Sequence, residues 1–245
     1  MTRYLLCALL VVGLGCRPEA ERRKAESLSY GALPVVEQLK TPEQRSEAAE
    51  RMMLAGSQAR EAGLATQASR YLRAGLELDD RNEMLWLQLC ILHYDVDDAA
   101  SAETACTRAI ETALDPANPN YDSVLNRGLA RVKLGKLAEA EADFQWNKRM
   151  QPKNAEAYYD ESWVWAARGD LEKVLENVKI AGEYDPYYRN IEVVGSDQPY
   201  DKFLDEPAWQ DFLKTLDPGP PPEEKMSTLL QQEGISGVPT GSDGP

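Results

Sequence analysis

Histidine is almost absent from this 245-residue chain, where His93 stands alone. Nucleophile–base catalysis usually needs an imidazole held beside the nucleophile, and His93 falls at a helix position expected to pack inward as core. Zinc sites need several Cys and His ligands at tight spacing. Four cysteines, of which Cys90 and Cys106 alone lie in the central region, do not supply that pattern, and no metal ligand set is expected. Asp95-Val-Asp-Asp98 opens like a calcium loop but lacks its central Gly and closing Glu, so it reads as a turn between helices. No Gly-rich phosphate loop is present, and no cofactor or small-molecule substrate is expected. Positive charge is in deficit too, with 27 Lys and Arg against 41 Asp and Glu and a net charge of −14. Such a surface repels phosphate backbones and anionic head groups, which argues against nucleic acid as a partner. The same charge also serves to keep an exported protein in solution.

Long apolar runs are missing as well. The longest, Leu5 to Leu14, is about ten residues and spans about 15 Å as a helix, half of a hydrocarbon core. Preceded by Arg3 and ended by Gly15-Cys16, it reads as the core of a signal peptide over residues 1–15. Cys16 after a small residue resembles the lipobox of bacterial lipoproteins, whose cysteine is diacylated and becomes the new N-terminus. Lipoboxes usually carry Leu three residues before the cysteine; Gly13 stands there instead. Gly13 and Gly15 would also suit ordinary signal peptidase, so a secreted, unanchored chain is the alternative. Neither Arg17 nor Pro18 is the Asp that retains enteric lipoproteins at the inner membrane, which favours the outer membrane, facing the periplasm. Residues 16–46 read as a charged tether and an N-terminal linker or helix.

What the chain has in abundance is Ala, Leu, Glu, Arg, Lys and Gln, all strong helix formers, and a period. Ala68 and Ala102 are 34 residues apart, as are Gly135 and Gly169, and Pro152 and Pro186. A fixed spacing of this length signals stacked supersecondary units. The cleanest, residues 121–154, carries Gly128, a turn at Gly135, then Ala140, Phe144 and Pro152. Gly128 and Ala140 are expected to face each other where the helix axes come close, with Phe144 one turn later. Residues 155–188 fit the same frame with Tyr158, Trp165, Gly169, Ala181 and Pro186. Residues 49–82 bring Gly56, Gly63, Ala68, Leu72 and Gly75. Residues 83–120 bring Trp86, Leu89, Ala102 and Ala109, with Cys90 where Gly is preferred and extra residues near Asp115-Pro116.

This small–small–large–Pro arrangement resembles the tetratricopeptide repeat (TPR). The resemblance covers residues 49–188 and implies an all-α, right-handed superhelical array of about four helix hairpins within a domain over residues 47–216. A closing helix over 197–216, carrying Phe203, Leu204, Trp209, Phe212 and Leu213, would cover the apolar end that every solenoid exposes. Residues 217–245, rich in Pro and Gly, read as a disordered tail.

In TPR domains the first helix of each hairpin lines a concave groove. Carried over, this puts Met53 and Ser57, then Leu87, Ile91 and Tyr94, then Leu125 and Leu129, then Tyr159 and Trp163 on that face. The stripe is apolar and lacks the Lys and Asn pair that clamps a C-terminal carboxylate in chaperone-type grooves. A protein or peptide with an apolar face is the expected partner; the alternative is that Leu33–Leu39 or the C-terminal tail fills the groove. Cys90 and Cys106 lie on facing helices of one hairpin, about a turn out of opposition in this register. They form either a disulfide, as export permits, or two buried thiols. The implied role is that of an adaptor or assembly factor at the cell envelope, touching the membrane through its N-terminal lipid alone.

Overall fold

The computed structural model describes residues 39–115 and 117–217. The signal segment, Cys16, the tether up to residue 38 and the tail from residue 218 lie outside the described residues.

Four antiparallel pairs follow one another: α1 (Pro42–Glu61) with α2 (Ala65–Leu78), α3 (Glu83–Asp95) with α4 (Ala99–Thr112), α5 (Tyr121–Lys133) with α6 (Leu137–Met150), and α7 (Ala155–Arg168) with α8 (Leu171–Tyr184). Each second helix packs on the first helix of the next pair, and the first helices α1, α3, α5 and α7 touch one another in series. The result is an all-α solenoid of hairpins. No helix among the described residues is long and apolar enough to cross a membrane.

Local chemistry sets the boundaries. Every first helix starts on a side-chain cap: Thr41, in a reciprocal capping box with Gln44, then Asn82, Asn120 and Asn154. Each satisfies backbone N–H groups that a helix start leaves open. Pro42 follows Thr41 at a position where its missing N–H costs nothing, so α1 begins inside the stretch read as linker or helix. Inside each hairpin the chain turns through a left-handed residue, at Gly63, Asp97, Gly135 and Gly169. These turns are 34, 38 and 34 residues apart, so the extra four residues of the array fall between Asp97 and Gly135.

The helices of a hairpin cross at a pair of positions 16 residues apart. A Cβ at Gly56 would sit 2.6 Å from Leu72, and one at Gly128 would sit 2.7 Å from the ring of Phe144. The large residue thus lies over the glycine itself, where the sequence register had set Ala140. Ala140 is fully buried nonetheless. The same offset explains the cysteines. Cys90 and Cys106 hold the equivalent crossing positions of the second hairpin and are joined in a disulfide, with Cα atoms 5.1 Å apart and a separation of 16 residues. Pairing Gly128 with Ala140 had displaced both contacts by one helical turn, and the expected turn of mismatch between the two cysteines disappears with it.

Ion pairs tie helices together both within a hairpin and between successive ones. Asp143, buried on α6, is gripped by Arg127 and Arg131 of α5 at 2.7 Å, and Arg131 also reaches Glu103 of α4 at 3.1 Å. Arg168 pairs with Glu141 at 2.7 Å, and Lys148 pairs with Glu161.

The array is closed by a 3-10 turn (Pro186–Arg189), a one-turn α9 (Ile191–Val194), a second 3-10 segment (Gln198–Phe203) and α10 (Pro207–Leu213). The expected single closing helix is therefore broken in two, because Pro207 starts a helix and cannot continue one. Tyr200, Phe203, Trp209 and Phe212 are buried against Val174, Val178 and Ala181 of α8, whereas Leu204 turns outward and is 42% exposed.

Candidate functional site

The nine residues read from the sequence as groove-lining separate into two groups. Met53, Ser57, Ile91, Tyr94, Leu129 and Trp163 are half-buried. Leu87, Leu125 and Tyr159 are only 2%, 2% and 5% exposed. Leu125 belongs to a cluster with Ala157 and Val164 of the following hairpin, so it joins hairpins. Tyr94 is half-covered from above by Lys133, whose Nζ lies 4.1 Å from the ring centre and 2.7 Å from Asp97.

At the fourth hairpin the chain covers its own inner face; the other candidates for that place, residues 33–38 and the tail, lie outside the described residues. The segment between α8 and α10 folds back there. Tyr159 donates its hydroxyl to Asp197 Oδ2 at 2.9 Å, and Trp163 donates Nε1 to the same oxygen at 3.1 Å. The Tyr159 ring lies 4.5 Å from Tyr188 and edge-on to Tyr200 at 6.1 Å. Ser162, fully buried on α7, bridges the Tyr159 carbonyl and the Tyr200 hydroxyl.

Beside this closure lies a pocket of about 480 Å³, walled by Tyr159 and Asp160 of α7, Tyr187 and Tyr188 of the first 3-10 turn, and Val193 and Asp197. Its electrostatics are one-sided. Asp160 is 6% exposed, and its Oδ2 has no hydrogen-bond partner among the described residues. Burial first, then the nearby carboxylates of Glu156 and Asp197, push its pKa well above the ordinary aspartate value. Burial also raises Asp197, against the lowering effect of its bonds from Tyr159 and Trp163. Burial is likewise the main reason that Tyr94, Tyr121 and Tyr188 are raised, with Asp160 adding to each. One carboxylate is thus felt by phenols from three first helices or their neighbours. The Tyr121 hydroxyl, also buried, is unpaired as well. Sequence reading passed over Asp160, since in a chain with 41 acidic residues one more carboxylate carries no signal.

His93 does not join the inner face. It is half-buried beside a separate pocket of about 690 Å³ between α2, α3 and α4, together with Trp86, Leu76 and Arg73. Its Nδ1 is 3.5 Å from Asp98, and burial lowers its pKa. No group of three or more His, Cys, Asp or Glu side chains among the described residues could hold a metal ion.

No protein-family model matches the chain, and no curated protein matches it. Solved structures do. The TPR protein YrrB, described as having an unusual peptide-binding site, is 20% identical, with a TM-score of 0.50 over 69% of this chain and 93% of its own. MamA from Desulfovibrio magneticus RS-1 is 17% identical, with a TM-score of 0.53 over 78% of this chain and 97% of its own. A chain of the Cut9–Hcn1 assembly of APC/C is 15% identical, with a TM-score of 0.53 over 70% of this chain but 32% of its own. At such identities the likeness shows the fold alone, and that fold is a TPR-like helical solenoid closed by a C-terminal helix.

Proposed function

We propose that this chain is a protein-docking scaffold held at a bacterial cell envelope by a lipid on Cys16, and that its partner lies along the inner face of the first helices. The observation that carries the docking surface is the series Met53, Ile91, Tyr94 and Leu129. These side chains come from three consecutive first helices that touch one another, and each stays partly exposed. A run of partly apolar side chains along a concave wall suits an extended peptide or a helix with an apolar stripe. The solved TPR protein YrrB is described as having a peptide-binding site, which adds support by likeness of fold. The TPR-like fold and the lack of a metal-holding cluster among the described residues fit a role without catalysis. The anchor rests on the Leu5–Leu14 run and Gly15-Cys16; a secreted form of the same scaffold is the alternative.

The test places a photo-crosslinking residue at Ile91 or Leu129, with exposed Thr104 on α4 as control. Cells are fed a labelled fatty acid at the same time. A crosslinked partner from the two inner positions and not from the control is expected, together with label that disappears in Cys16→Ser. Crosslinks from Thr104 alone would rule out the inner face. An unlabelled wild-type chain would leave the secreted form.

A further inference from the structure

We infer that the pocket beside Asp160 is a receptor for one cationic side chain, a guanidinium or ammonium presented by a peptide partner lying on the inner face. The inference rests on the docking reading above and adds the chemistry of the partner's anchor. Asp160 is almost wholly buried in the pocket wall, with an oxygen that no protein donor satisfies. A buried carboxyl left without a donor is costly, and a site that keeps one is built for a donor from outside. Asp197 and Glu192 supply two more carboxylates to the same lining. No Lys or Arg among the described residues lines the pocket, so the negative potential is not cancelled internally.

The remaining walls suit an organic cation. Tyr187 is 59% exposed and stands edge-on to Tyr188 at 5.2 Å, which gives the entrance an aromatic wall that attracts positive charge. Guanidinium groups satisfy this combination well, since they stack on rings and donate in a fork to carboxylates. A metal ion suits it poorly, for no group of three Asp, Glu, Cys or His side chains among the described residues is placed to hold one. Binding must also displace a proton. Asp160 faces Glu156 on its own helix, Asp197 and Glu192 from the closing segment, and the phenols of Tyr94, Tyr121, Tyr188 and Tyr200. Its carboxyl holds its proton to unusually high pH until a cation pairs with it. Affinity should therefore climb as pH rises and level off once the free protein has ionised Asp160.

Calorimetric titration of the full chain with acetyl-Ala-Arg-Ala-amide tests this, with the citrulline tripeptide as uncharged counterpart, spermidine as free polyamine and calcium chloride as metal. The arginine peptide should bind about tenfold or more tightly than the citrulline peptide, and Asp160→Asn should remove that advantage. Tyr187→Ala, at an exposed site that cannot unfold the core, should weaken it by about two- to fivefold. Equal binding of both tripeptides, an unchanged affinity in Asp160→Asn, or binding of spermidine or calcium alone would overturn the proposal. Photo-crosslinking at Ile91 that persists while the arginine peptide fails would sink the cation pocket alone. Peptide binding without any crosslinked partner would sink the inner-face reading instead.

Discussion

Asn147 occupies a place where the other hairpins carry Gly75, Ala109 and Ala181, each of them buried. Its side chain is fully buried, and neither its oxygen nor its nitrogen has a hydrogen-bond partner among the described residues. An amide taken from water without replacement partners costs about 1–3 kcal/mol. Asn147→Ala should therefore stabilise the chain by about 1 kcal/mol after the small loss of packing, read as a higher urea midpoint at unchanged slope. A lower midpoint would mean that the amide is satisfied after all. At this scale the sequence is legible where a position demands one residue type and opaque where it merely tolerates one. Gly135 and Gly169 announced their turns because their φ angles of 71° and 79° suit glycine. The turn read at Asp95–Asp98 is made without glycine, since aspartate is one of the few other residues that accept a left-handed conformation, here Asp97 with φ 62°.

The hairpin is the element on which crossing geometry acts. Its two helices meet through a small residue and a large one, Gly56 with Leu72 and Gly128 with Phe144, and the second hairpin replaces the pair with a covalent bond. Closing a loop of this size removes about 3 kcal/mol of unfolded-state freedom. Cys90→Ala/Cys106→Ala should thus lose about 2–4 kcal/mol, whereas Cys90→Gly/Cys106→Leu should recover part of it by restoring the contact of the first hairpin. Thermal melts of the two double variants would settle the matter, and equal melting temperatures would show that the crossing position is not what the cysteines occupy. The helices themselves were readable from composition, period and caps. Their offset was not, because the spacing of small residues shows which faces are close without showing which residue on the second helix fills the gap.

At the scale of the molecule, acidity is unevenly spent. Glu156, Asp160 and Asp197, from one helix and from the segment that folds back on it, share the inner face of the last hairpin, and burial raises all three. A carboxyl whose native pKa lies above its unfolded value of about 4 keeps its proton longer in the folded state than in the unfolded one. Stability from these groups is greatest below that unfolded value and is lost as pH rises through their native values. Asp160→Asn removes the largest share of the effect. Its melting temperature should match wild type near pH 4, exceed it increasingly as pH rises, and hold a constant lead once Asp160 has ionised. A constant difference at every pH would mean that this carboxyl is not displaced from its ordinary range. Self-closure of this kind was not readable in advance. Asp185-Pro-Tyr-Tyr-Arg looked like the exit from an array, and only the folded chain brings Asp197 back to Tyr159 and Trp163.

The disulfide also bears on how the solenoid would behave under tension. A repeat array passes load from hairpin to hairpin, and most hairpins can peel open and release their full length. The second cannot, because Cys90 and Cys106, 16 positions apart, tie its two helices together where they cross. A pulled chain would come up roughly 50 Å shorter than its reduced form, and the tied hairpin would remain as a seed on which its neighbours could rewind.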